Sequence, residues 1–124
     1  IKGKNVTVAV IDTGVYVNHM DLRDSLVTYI DMVNKRRNAY DDNGHGTHIA
    51  GIILGRGNLQ NGYYRGIAPE SKLVSVKVLD NKGKGKVTDV IKGLDWIIKN
   101  KDKLPLFCFI LRYVVHSQPI DLVL

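Results

Sequence analysis

Short apolar runs separated by polar, glycine-containing stretches set the rhythm of this chain. Residues 6–11 (VTVAVI) form a β-branched run with no regular polar alternation, the pattern of a strand covered on both faces, as in parallel sheets. A second short strand is predicted at 26–31 and a polar, exposed loop at 34–43. After Gly44-His45-Gly46-Thr47-His48 comes a small-residue, apolar helix over 49–54, in which Gly51 allows close packing at a cost of about 1 kcal/mol in helix propensity. Residues 55–66 hold four glycines and two asparagines and read as a turn-rich connection. Residues 73–79 (LVSVKVL) read as a strand and 80–86 as a loop of glycine and lysine. Thr88 and Asp89 then cap a helix running to about Asn100, whose apolar positions Val90, Ile91, Leu94, Ile97 and Ile98 recur at helical spacing. Strand, helix, strand, helix in succession predicts a three-layer α/β domain.

The last residues follow a different pattern. Residues 104–115 (LPLFCFILRYVV) are nearly all apolar, yet these 12 fall short of the ~20 needed to cross a membrane as a helix. Residues 119–124 (PIDLVL) read as the opening of one more buried strand. A sheet left half built would carry an unpaired edge, which favours aggregation.

Composition narrows the function classes. With 124 residues, 44% hydrophobic and 24% charged, the chain has the make-up of a globular domain with one core. A net charge of +6 could suit a polyanion, but the lysines and arginines are scattered and no aromatic-interleaved basic motif accompanies them. They read as a solvated face, so neither nucleic acid nor membrane is an expected partner. Cys108 stands alone, which excludes an internal disulfide and points to a small buried hydrophobe without a role. The start, Ile1 to Asn5, is polar and carries no secretory signal or initiator Met, so the chain is read as beginning downstream of a further segment.

One pair of residues carries candidate chemistry. Asp12 ends the first strand, and His45 follows 33 positions later between Gly44 and Gly46. Glycine on both sides lets the backbone bend sharply and leaves an imidazole edge open. A buried Asp accepting the Nδ1 proton would fix the tautomer and leave Nε2 as a general base. Equally, His45 could pack at a helix start while Asp12 merely closes a turn, and spacing alone leaves both readings open.

Two motifs in register add a resemblance. Val8-Ala9-Val10-Ile11-Asp12-Thr13-Gly14 and His45-Gly46-Thr47-His48-Ile49-Ala50-Gly51 resemble the Asp-Thr-Gly and His-Gly-Thr-His signatures of the subtilisin-like serine proteases, in that family's order. His19-Met20-Asp21-Leu22, Gly66-Ile67-Ala68-Pro69 and Val76-Lys77-Val78-Leu79 extend the match from about Lys4 to Asp102. Residues 40–45 and Tyr64-Arg65-Gly66 are most similar to the bacterial intracellular, AprX-like branch, which tilts localisation to the cytoplasm, with secretion as the alternative. The resemblance implies an incomplete subtilisin-like α/β fold, spanning 1–103, with a central parallel sheet and an atypical tail at 104–124. It implies that Asp12 orients and charge-stabilises His45, and that His45 is the general base that later protonates a leaving amine. It makes His48 structural, gives Gly83, Lys84 and Gly85 to backbone pairing with a peptide or protein substrate, and lines an apolar subsite with Leu79 and Val90. Asp21 sits where many relatives place a calcium carboxylate, but one carboxylate is a poor match for a cation taking six to eight oxygens. The expectation is therefore a solvated Asp21, no metal and no cofactor, with calcium as the alternative.

The family pattern also breaks. Its nucleophile lies in a Gly-Thr-Ser block, and Ser25, Ser71, Ser75 and Ser117 lack that setting. The oxyanion-donating Asn and the Ser-Leu-Gly pocket wall are missing as well. The chain alone is therefore expected to be inactive, and residues 104–124 to reflect a shifted frame, an insertion or a truncated product. Two functions compete: an endopeptidase working through an Asp-His-Ser triad, and a non-catalytic peptide-binding remnant. A nucleotide site is disfavoured because no G-x-G-x-x-G or Walker pattern follows the first strand.

Overall fold

The computed structural model describes residues 2–104, 107–111, 114–115 and 121–123, the last three stretches as backbone. Four strands, β1 (Thr7–Asp12), β2 (Leu26–Asp31), β3 (Lys72–Lys77) and β5 (Phe107–Leu111), make one parallel sheet in the order β2-β3-β1-β5. All six residues of β1 are buried, as expected of a central strand covered on both faces. Side chains alternate across it. Val8 and Val10 face one way and join Ala50 and Leu54 of helix α1 (His45–Leu54) in one core. Ala9 and Ile11 face the other way and join Val90 and Ile97 of helix α2 (Val87–Asn100) in a second. Helix, sheet and helix thus form the three layers expected.

Several boundaries differ from the sequence reading. Helix α1 starts at His45, four residues before the expected start, because Gly44 takes a left-handed φ of 105° and a carboxylate upstream caps the exposed amides. Thr88 and Asp89 do not cap α2: Lys86 holds that position in extended form without a side-chain cap, and Asp89 lies in the first turn, where its charge favours the helix dipole. Ile91 and Ile98 are 54% and 60% exposed, because each sits one position, a rotation of about 100°, past the inward-facing Val90 and Ile97. The predicted 80–86 loop is shorter. Asp80 closes a turn by accepting the amides of Lys82 and Lys84, and strand β4 (Lys84–Lys86) begins there.

The hydrophobic stretch at 104–115 contributes β5, which pairs in parallel with β1 from Thr7↔Phe107 to Ile11↔Leu111. Strands β6 (Val114–Val115) and β7 (Asp121–Val123) form a small antiparallel sheet with β4, in the order β4-β7-β6. The strand expected at 119–124 is present as β7, antiparallel to β4 and β6; the burial of Cys108, and Ser117, fall outside the described residues. Among the described residues no helix is long and apolar enough to cross a membrane.

Candidate functional site

Parity along the parallel strands decides what meets at their C-terminal ends. Asp12 shares a face with Val8 and Val10, the face α1 covers, so its carboxylate points to the start of that helix. There His45 Nδ1 lies 2.9 Å from both Asp12 oxygens. Asp12 is 2% exposed, and Oδ1 also accepts the Thr13 amide at 2.7 Å. Since a carboxylate accepts, the hydrogen between the pair belongs to Nδ1, leaving Nε2 as the ring's other polar atom. The His45 side chain retains 26% exposure, so the imidazole is held on one side and open on the other.

Asp41, unremarked in the sequence, holds the two motifs together. Its Oδ1 accepts from the Thr13 hydroxyl at 2.8 Å and the Gly44 amide at 2.8 Å. Its Oδ2 accepts both the amide and the hydroxyl of Thr47, at 2.9 and 2.6 Å. The Thr13 hydroxyl in turn accepts the Gly46 amide at 2.9 Å. One carboxylate thereby ties the turn after Asp12 to the first turn of the helix that bears His45. Burial pushes the Asp41 carboxyl upward, but the hydrogen bonds from Thr47, Gly44 and Thr13 outweigh it and hold the group below its ordinary value. Asp31 behaves alike: burial raises it, while the Asn34, Arg36 and Val33 amides and the Tyr40 hydroxyl bring it below the usual range.

A depressed folded-state carboxyl contributes stability that is complete above the unfolded value and is lost as pH falls toward the folded one. Stability is therefore expected to hold above about pH 5 and to decline below about pH 4. Asp41→Asn is expected to cost about 2 kcal/mol at neutral pH, from lost charge-assisted bonds, and to flatten the acid decline. Urea midpoints between pH 2 and 7 check this; an undiminished acid slope in the variant would remove Asp41 from the account.

Lys77, on β3 beside Asp12 in register, is 0% exposed. Its Nζ donates to the carbonyls of Thr13 at 2.6 Å and Leu79 at 2.7 Å and to Asp42 at 2.9 Å. In the sequence it is a lone charge inside LVSVKVL, at the parity of Leu73 and Ser75, a pattern that ordinarily means a side chain turned to water.

The remaining candidates are placed as follows. The turn leading to β4 is tied to the His45 loop by Asn43 Nδ2, which donates to the Asn81 carbonyl at 3.0 Å. Gly83 is buried, Lys84 exposed and Gly85 intermediate. The strand that begins there is already paired, Lys84↔Val123, Gly85↔Leu122 and Lys86↔Asp121, antiparallel with β7. Leu79 and Val90 pack in the core beneath α2, at 1% and 5% exposure. His48 is not buried in a structural role: it is exposed and lines a groove of about 840 Å³ along α1 with Tyr16, Thr47, Ile52, Arg65 and Ile67. Asp21 is not a free surface carboxylate either. Its Oδ1 accepts the amides of Asn58 and Leu59, and its backbone carbonyl accepts that of Arg56, so it stitches the 56–59 loop down. Among the described residues no three His, Cys, Asp or Glu side chains converge.

Comparison with known proteins bears on this geometry. The model of the subtilase family, Peptidase S8, matches residues 3–108. The serine protease AprX of Bacillus subtilis is 48% identical over 105 residues, covering 85% of this chain and 24% of that protein. The major intracellular serine protease of the same organism is 40% identical, covering 82% of this chain and 33% of its own length. The minor extracellular protease Epr, also from Bacillus subtilis, is 44% identical, covering 82% and 15%. The crystal structure of a cold adapted subtilisin-like serine proteinase superposes with a TM-score of 0.70 at 40% identity, covering 81% of this chain and 34% of that one. The chain thus spans about a third or less of these relatives' length. A family model matching residues 3–108, and a superposition covering 81% of the chain at 40% identity, leave one assignment: this chain belongs to the subtilase family.

Proposed function

We propose that this chain supplies the aspartate and histidine of an Asp-His-Ser triad in a serine endopeptidase. The observation that carries the proposal is the Asp12–His45 contact, 2.9 Å to both carboxylate oxygens at the open end of the sheet. Asp12 fixes the tautomer, so Nε2 takes the proton of a serine hydroxyl as its oxygen attacks the peptide carbonyl. The imidazolium, stabilised by Asp12, then gives that proton to the leaving amine; water repeats the sequence to release the acyl group. Ser25 accepts from Arg56 Nε and Ser71 donates to the Ala68 carbonyl, both away from His45, and Ser75 lies buried in β3. This proposal takes its nucleophile from outside the described residues, in keeping with the greater length of the relatives. The substrate is a peptide or protein, which would take the place of Asp121–Val123 on the edge formed by Gly83, Lys84 and Gly85, with Leu79 and Val90 in the core beneath. Asp21 serves its loop rather than a cation. Relatives named intracellular and extracellular both match, and the cytoplasmic reading rests on the AprX-like motifs at 40–45 and 64–66.

A non-catalytic peptide-binding role has one observation in its favour. The β4 edge holds an extended segment, Asp121–Val123, in antiparallel pairing. A chimera separates the readings: residues 3–104 replace the matching segment of AprX, and hydrolysis of a peptide p-nitroanilide is followed. The catalytic reading expects turnover in the chimera and none above buffer for the 124-residue chain alone. A chimera that melts cooperatively and binds the peptide but does not cleave it would favour the binding role.

A further inference from the structure

A fully buried lysine is an expensive feature: removing an ammonium from water costs several kcal/mol unless each proton finds an acceptor. Lys77 has one acceptor for each of its three, two carbonyls and the Asp42 carboxylate, and its Nζ also lies 5.1 Å from the Tyr40 ring centroid. A hydrophobic side chain of similar volume would commonly stabilise such a site as well or better. What it could not do is hold three separate segments at one point. Those segments are the turn directly after Asp12, through Thr13; the loop directly before His45, through Asp42; and the residue that opens the path to β4, through Leu79. The strand register places the stem of Lys77 beside Asp12, and parity sends it to the α1 face, where both loops meet. The backbone agrees with this convergence, since the amides of Val78 and Leu79 both donate to the Asp12 carbonyl.

We propose that Lys77 is a positioning residue: its ammonium locks the Asp12 turn, the loop ahead of His45 and the start of the substrate-binding edge into one rigid unit. In its functional meaning this rests on the Asp12–His45 reading above. Lys77 touches neither substrate nor reacting atoms; it sets the distance between the groups that do.

Chemical rescue tests the idea on the 124-residue chain. In a Cys108→Ala background, which leaves no other thiol, Lys77→Cys is compared before and after aminoethylation. The modification restores an ammonium at lysine's length through a thioether. The readouts are the His45 Nδ1 proton resonance and the amide shifts of Thr13, Asp42, Leu79 and Gly83. Lys77→Cys is expected to lose the His45 signal and to displace all four amides together, and the aminoethylated protein to regain both. Wild-type spectra for Lys77→Cys, or an aminoethylated protein as perturbed as its parent, overturn the proposal. Should Lys77→Cys not fold, Asp42→Asn removes the ammonium's carboxylate partner from a half-exposed position; it is expected to move the amides of Thr13, Leu79 and Gly83, and unmoved amides overturn the proposal equally. Asp12→Asn separates the two ideas. If the His45 signal survives that substitution, the catalytic reading falls, while four amides moving together in Lys77→Cys still support the clamp.

Discussion

His45→Ala in the AprX chimera is expected to lower turnover about 10⁶-fold, and Asp12→Asn about 10⁴-fold, with little change in KM. These are the sizes established for the same triad in subtilisin and its analogues, and are adopted from those systems. The alanine variant lacks any base to take the serine proton. The asparagine variant fails differently. Its side chain nearly preserves the shape of Asp12, yet the amide nitrogen donates where a carboxylate oxygen accepted. An imidazole facing that donor carries its hydrogen on Nε2, where the serine needs an acceptor, and the imidazolium loses its counter-charge. The Thr13 amide needs an acceptor at Oδ1, so the new amide nitrogen takes the place of Oδ2, 2.9 Å from Nδ1. Steady-state kinetics on a peptide p-nitroanilide read both. Turnover in His45→Ala above a hundredth of the parent would remove the imidazole from the mechanism.

Asp12, His45 and the layer architecture were legible in the sequence. An apolar β-branched run is one to bury on two faces; for the polar residue at its end and the glycine-flanked histidine the local pattern left two readings open, and the resemblance of two motifs in register chose between them. The residues holding that pair in place were not legible, and the cause is physical. Asp41 lies in a stretch of asparagines, arginines and aspartates that reads as solvated. Its role depends on a left-handed turn at Gly44 that starts α1 four residues early, bringing the helix's exposed amides within reach of its carboxylate. Lys77 was hidden by the usual sense of a charge in a strand, which is a side chain turned to water. The three acceptors that keep it inside come from Thr13, Asp42 and Leu79, and two of those are distant in sequence. Ile91 and Ile98 failed the other way: helical spacing admits them to an apolar stripe, but the sheet covers only the narrower face through Val90, Gly93 and Ile97. Propensity and pattern see one element at a time, and each of these residues takes its role from a contact between elements.

One methyl group placed at two positions of α1 is expected to act with opposite signs. Gly46 lies in the first turn, buried, and its amide donates to the Thr13 hydroxyl. A Cβ built there would overlap the Gly14 carbonyl oxygen outright, with the Gly14 nitrogen at 3.1 Å and the Thr13 hydroxyl at 3.2 Å. The obstruction is backbone, and Gly14 cannot swing aside: it holds a φ of 117° and is bridged to Asp41. So α1 must move instead, carrying His45 away from Asp12. Gly46→Ala is expected to destabilise by about 3 kcal/mol, at the upper end of overpacking costs, and, since a displacement near 1 Å suffices, to lower chimera turnover about 100-fold. Gly51 lies in the same helix with nothing within 4 Å of its would-be Cβ. There the methyl meets no neighbour and the better helix former gains up to about 1 kcal/mol. Thermal and urea unfolding of the two variants read the contrast directly. Equal effects would mean that helix propensity alone governs α1, and that the contact of its first turn with the Asp12-Thr13-Gly14 turn sets neither the stability nor the geometry of the pair.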